Sequence, residues 1–135
     1  MSEWNDKIIK EFRANAGRVG GSFEGAPLLL LHSTGAKSGQ ERVSPMMYLR
    51  DGDRYLVFAS KGGAPDNPDW YHNLIANPRA SIEDGKEQLA VTAVPAGPDE
   101  RSRLWAMITE KNPAFADYQR KTTRTIPVVI LTPDV

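Results

Sequence analysis

A chain of 135 residues that is 40% hydrophobic accommodates one domain, spanning residues 1–135, and by size scaling such a domain buries on the order of two thirds of its unfolded surface. Acidic and basic residues balance at 17 each, so no broad field favours nucleic acid, and any anion site must come from local clustering. The absence of cysteine excludes disulfides, thiolate nucleophiles and cysteine-ligated metals, and two distant histidines, His32 and His72, do not make a zinc site.

Residues 1–21 read as an amphipathic N-terminal helix, with Trp4, Ile8 and Phe12 at i, i+4 spacing and Gly20-Gly21 ending the pattern. The segment has no apolar core of a signal peptide, and the longest apolar run, Ala26 to Leu31, is too short to span a bilayer, so a cytoplasmic protein is expected. The Trp4-Ile8-Phe12 stripe has two readings, docking on the domain itself or a second subunit, or lying on a membrane surface. Pro27 to His32 is a buried strand, with Val43 to Arg50 as its partner. Asp51-Gly52-Asp53 is a hairpin turn leading into a third strand from Arg54 to Ala59. These three strands are expected antiparallel and in series.

A glycine-rich loop from Ser60 to Pro65 precedes Asn67-Pro68-Asp69, where Asn67 suits an N-cap and proline the first helical position of a short helix that Asn77-Pro78 ends. A second strand pair, Ala80 to Glu83 and Gln88 to Val94, turns at Asp84-Gly85. Pro98 opens a helix with the stripe Leu104, Met107 and Ile108; Asn112-Pro113 restarts it as a shorter one holding Phe115 and Tyr118, and Pro127 to Leu131 is a last strand. Hairpins in place of βαβ crossovers predict a mainly antiparallel α+β fold, closed as a small, partly open barrel.

The chemistry concentrates in Thr34 to Arg42, where Lys37 and Arg42 flank a turn bounded by Gly35 and Gly39, an arrangement suited to phosphate oxygens. A Walker A loop is excluded, because Ala36 precedes Lys37 and Leu31 stands where the earlier glycine belongs; no G-x-S-x-G elbow exists either. Ser60-Lys61-Gly62-Gly63 is a second basic glycine loop that could line the same groove. In the short helix Trp70 and Leu74 share a face, while Tyr71 and Asn73 carry polar ends for a ligand; Tyr118 is the candidate proton donor.

Six ordered pieces carry a family resemblance: Leu28 to Leu31 before Thr34-Gly35-x-Lys37-Ser38-Gly39-x-x-Arg42; Pro45 to Leu49; Ala59 to Gly63; Asn67-Pro68-x-Trp70-Tyr71-x-Asn73-Leu74; Asn77-Pro78; and Ile126 to Val129. Together they resemble the deazaflavin-dependent nitroreductase family over nearly the whole chain after the first helix. The resemblance implies a split β-barrel that binds coenzyme F420, an 8-hydroxy-5-deazaflavin with a phosphodiester and an oligoglutamate tail. It implies that Lys37 and Arg42 hold the anionic tail and phosphate, with Trp70, Tyr71 and Asn73 nearby. Pro45, Met46 and Met47 would lie along the ring, and Ser60, Lys61, Gly62 and Gly63 would offer backbone contacts to its polar edge. The implied activity is hydride transfer from the reduced coenzyme to an electron-poor small molecule such as a quinone or nitro compound. Tyr118 matches an aromatic position used near substrate. Phe115 stands where some relatives have a second tyrosine, which counts against nitroimidazole-type acceptors. Alternatives are a non-catalytic F420 carrier, or an FMN-binding split-barrel reductase whose flavin phosphate Lys37 and Arg42 would hold. A homodimer and peripheral membrane contact through the first helix complete the expectations.

Overall fold

A computed structural model describes residues 3–17, 19–20 and 27–134. Seven strands form one antiparallel sheet: β1 (Leu28–Thr34), β2 (Glu41–Met47), β3 (Leu49–Asp51), β4 (Arg54–Phe58), β5 (Arg79–Asp84), β6 (Glu87–Pro95) and β7 (Val128–Pro133). The helices are α1 (Glu3–Ala14), α2 (Asp69–Ala76), α3 (Pro98–Lys111) and α4 (Ala114–Arg120).

The strand order is β2-β1-β5-β6-β7-β4-β3. The two end strands, β2 and β3, are consecutive in sequence, so the sheet must curl until its ends meet at Tyr48. Leu29, Leu31, Tyr55, Val57, Ile82, Val91, Val129 and Leu131 fill the concave interior, with Leu74 of α2 closing one end. On the outer face Leu104, Ile108 and Phe115 of α3 and α4 cover Leu56, Phe58, Val128 and Ile130. Ile8, Ile9 and Phe12 of α1 cover Leu28 and Leu30. Burial on both faces explains why Leu28 to Leu31 and Val128 to Leu131 are continuously apolar and do not alternate. Of the first helix's stripe, the described members Ile8 and Phe12 dock on the sheet, together with Ile9 beside them.

Three expectations are corrected. The single strand Val43 to Arg50 is two strands that separate at Tyr48, with β2 pairing β1 and β3 pairing β4, so the first strands are not a simple series. The Tyr48 N–H still donates to the Pro27 carbonyl (3.2 Å), the next rung of the β1–β2 register, while its ring packs on Tyr55, its hydroxyl donates to Asp84, and from Leu49 the chain pairs with β4. The first helix stops at Ala14, before the expected Gly20-Gly21, in a turn where Ala16 and Gly17 take φ of 55° and 95° and the Gly17 N–H reaches the Phe12 carbonyl (2.8 Å). Residue 21 lies outside the described residues. Finally, Pro68 and not Asn67 is the N-cap of α2. The Asn67 side-chain oxygen instead accepts a hydrogen bond (2.8 Å) from the half-buried guanidinium of Arg124.

Candidate functional site

Between the β1–β2 turn and α2 lies a groove of 620 Å³. Gly35, Lys37 and Arg42 line it from the turn and β2, and Asp69, Trp70 and Asn73 from α2. The turn folds as its sequence demands. The Gly35 N–H donates to the Gln40 carbonyl (2.7 Å), the Gly39 N–H to the Gly35 carbonyl (2.9 Å), and Gly39 takes φ of +70°. A Cβ on Gly35 would stand 2.6 Å from the Ser38 hydroxyl, so any larger residue there would have to push Ser38 aside. Asn73 joins the two walls, because its buried carbonyl oxygen accepts the Ala36 N–H (2.9 Å). Its oxygen is therefore spent on bracing the turn, where the sequence suggested a polar end open to a ligand.

Lys37 and Arg42 are exposed, and among the described residues neither takes part in an ion pair. Two cations without an ion-pair partner among the described residues, a braced turn and the start of α2, whose first-turn amides have no side-chain cap, are an arrangement that could take an extended anion. Asp69 adds one carboxylate to the rim and His72 an exposed imidazole. Neither was singled out for this role by its sequence context.

The other predicted site residues lie outside the groove lining. Met46 packs toward the barrel interior with Trp70 and Tyr71, whereas Met47 packs on the opposite face with the clusters under α1 and α3. Strand alternation separates the two side chains, so they share with Pro45 the β2 strand but not a single face. β2 ends the strand order, a place where proline's missing N–H is tolerated. Tyr71 packs against the interior cluster, edge-on to His72. Ser60 precedes a 3₁₀ turn formed by Lys61, Gly62 and Gly63. That turn is set against α4: a Cβ on Gly63 (φ +84°) would stand 2.7 Å from the Tyr118 carbonyl oxygen. The second basic loop is therefore packed beside Tyr118, and the structure does not bring it to the Lys37 groove. Tyr118 itself is half-buried, its ring edge-on to Phe115 at 5.3 Å.

Two polar clusters were not legible as such. Tyr48 and Tyr55 both donate to Asp84 (3.1 and 2.6 Å) across the barrel interior, and burial and the neighbouring carboxylate push each phenol up to about 12. His32 Nε2 lies 2.5 Å from Glu83, whose second partner is Arg13 of α1 at 2.8 Å. The hydrogen bond from Arg13 holds the Glu83 carboxyl below its usual range, with His32 adding to the effect against some desolvation. His32 is thus a structural histidine that ties sheet to helix; its Nδ1 is 3.3 Å from Glu41 but has no hydrogen-bond geometry there.

The family model for F420H(2)-dependent quinone reductase matches residues 4–133. The chain belongs to this family. An F420H(2)-dependent quinone reductase of Mycobacterium tuberculosis is 49% identical over 125 residues, covering 90% of this chain and 84% of the relative. A solved F420-H2 dependent reductase superposes with a TM-score of 0.71 at 43% identity, covering 78% of this chain and 93% of that one. Another solved relative, described as a domain-swapped dimer, gives 0.73 at 39% identity over 93% and 92%. In this quinone reductase family member the split, antiparallel barrel expected from the sequence is the observed fold, with Tyr48 at the seam.

Proposed function

We propose that this protein binds coenzyme F420 with its phosphodiester and tail in the Lys37–Arg42 groove, and reduces a quinone-type acceptor. The observation that carries the reading is the pair of uncompensated cations on a glycine turn braced by Asn73. Its donor set fits an acidic, elongated cofactor: Lys37 supplies a point charge and Arg42 a planar fork for two oxygens of one anionic group. Asp69 at the rim opposes an anion locally, and the two cations of the turn outnumber it. Reduced F420 supplies a hydride when bound, and the protein contributes binding, orientation and exclusion of water.

Within this reading, Trp70 offers an aromatic wall next to the cations, and the β2 edge at Pro45, Met46 and Met47 continues from Arg42 toward the barrel seam. Ser60, Lys61 and Gly62 supply amides at the other end, while Gly63, whose N–H closes the turn onto the Ser60 carbonyl, packs against Tyr118. Tyr71 supports Met46 and Trp70 through the interior cluster they share. Tyr118 is the proton source for the reduced acceptor, its ring held by Phe115 and its hydroxyl without a protein partner among the described residues. A quinone that accepts a hydride needs one further proton to become the hydroquinone, which suits a phenol at that end.

The experiment is single-turnover oxidation of the reduced coenzyme, bound to the protein, by a panel of quinones. Acceptor-dependent oxidation is expected, slowed in Tyr118→Phe with cofactor affinity intact. A second reading, a non-catalytic F420 carrier, is favoured by the placement of Tyr118 outside the groove lining, and would show no acceptor dependence. The solved relative described as a domain-swapped dimer supports a homodimer here too, to be checked by sedimentation. No helix among the described residues is long and apolar enough to cross a membrane. Peripheral contact through α1 would have to use side chains other than Ile8, Ile9 and Phe12, and vesicle co-sedimentation tests it.

A further inference from the structure

Arg124 lies in the segment between α4 and β7 and is half-buried. Its guanidinium donates to the Ala59 carbonyl (3.1 Å), the Ser60 carbonyl (2.8 Å), the Ala64 carbonyl (2.9 Å) and the Asn67 side-chain oxygen (2.8 Å). Two of these acceptors precede the Lys61–Gly63 turn and two follow it, so one planar cation grips both ends of the loop. The loop needs such a grip. Lys61 adopts φ of +47°, a left-handed conformation that a residue with a Cβ takes only when its surroundings impose it. Arg124 is in turn fixed through its backbone, since its carbonyl accepts from Gln119 Nε2 (2.7 Å), one residue beyond Tyr118.

Peptide groups are flat and trans, so a carbonyl turned toward Arg124 points the N–H of the following residue the opposite way. The grip on Ala59 and Ser60 therefore turns the Ser60 and Lys61 N–H groups away from the guanidinium. Among the described residues neither N–H has a backbone acceptor, in contrast to Gly63 and Ala64, whose N–H groups close the turn onto Ser60 and Lys61. Two adjacent donors facing away from a half-buried cation suit an acceptor edge such as the carbonyl edge of a heterocycle.

We propose that Arg124 is a positioning residue that sets the orientation of the Ser60 and Lys61 amides toward the ring of the bound cofactor and holds their loop against the Tyr118 helix. The proposal rests on the F420 reading for the identity of the ring, but the orientation of the amides can be measured without it. In ligand-free protein, Arg124→Gln should displace the Ser60, Lys61 and Gly63 amide resonances and speed their hydrogen exchange, while those of Gly35 and Gly39 stay in place. With the oxidised coenzyme, the same variant should bind about tenfold or more weakly, the scale of lost charge-assisted hydrogen bonds, and the absorption band of the bound deazaflavin should move. Arg124→Lys, which keeps the charge and part of the donor set, should lie between.

A folded Arg124→Gln with unchanged loop amides, coenzyme affinity and band would overturn the proposal. If the arginine variants do not fold, Asn67→Ala removes one of the four acceptors; a roughly threefold loss of affinity is expected, and an unchanged value overturns the role. Loop amides that move in Arg124→Gln while the wild-type protein binds no coenzyme would refute the F420 reading and the role toward its ring, and leave only the clamp.

Discussion

Replacing Gly35 by alanine isolates the turn on which the anion site is built. Gly35 does not have a positive φ, so alanine is allowed by the backbone and would by itself stabilise by roughly 0.4–1 kcal/mol through the unfolded chain. Against this, its Cβ would meet the Ser38 hydroxyl at 2.6 Å and the Gln40 carbonyl at 3.2 Å. Ser38 can rotate away only by giving up the bond its oxygen accepts from the Gln40 N–H (3.2 Å), and the carbonyl is held by the Gly35 N–H itself. Overpacking of this kind costs about 1–3 kcal/mol, so the balance is a net destabilisation of roughly 1–2 kcal/mol. At about 2.1 cal/mol/K of unfolding entropy per residue over 135 residues, the melting temperature should fall by about 4–7 °C. Calorimetry on Gly35→Ala, Ser38→Ala and the double variant measures the contact directly. The double variant should recover about half of the loss, a coupling of at least ~0.5 kcal/mol. Strict additivity, or a Gly35→Ala protein as stable as the wild type with the same coenzyme affinity, would refute the closed-turn geometry.

Arg42→Ala should weaken coenzyme binding by about tenfold to a hundredfold through loss of a bidentate contact, and should leave the melting temperature nearly unchanged because Arg42 is exposed; fluorescence titration with calorimetry checks both. The depressed Glu83 carboxyl contributes stability that is present above the unfolded value of about 4.5 and is lost as pH falls through the folded one. A melting-temperature profile across the acid range should accordingly be flatter for Glu83→Gln than for the wild type. The raised phenols act with the opposite window, since their stabilisation is complete below about pH 10 and is lost as pH rises through about 12. Tyr55→Phe should show a weaker alkaline loss, at a cost of about 1–3 kcal/mol at neutral pH from the unmatched Asp84 oxygen.

What could be read from the chain was local. Gly35 and Gly39 marked a tight turn, Asp-Gly pairs marked the β3–β4 and β5–β6 hairpins, and Pro98 opened α3, because each feature is decided by the residue's own conformational preference. The seam at Tyr48 was not legible: Val43 to Arg50 has the composition of one strand, and only closure of the sheet, with Asp84 waiting across the interior, makes the chain change partners there. The same limit applies to the site. Lys37 and Arg42 are neighbours in sequence and stood out, whereas Arg124 meets its acceptors 57 to 65 residues away, so nothing around it in the sequence marks a clamp. Met46 and Met47 were grouped as adjacent letters although strand alternation sends them to opposite faces. Asn67 had the right neighbours for an N-cap, and lost that role to the demands of a half-buried guanidinium.

The central claim is that the Lys37–Arg42 groove holds the anionic end of coenzyme F420, and equilibrium titration of the purified protein with the oxidised coenzyme tests it most directly. The account predicts saturable binding in the micromolar range or tighter, weakened by salt and strongly reduced in the Lys37→Ala/Arg42→Ala double variant, with FMN a poorer ligand. Absence of binding at micromolar concentration, or affinity indifferent to both cations, would contradict it.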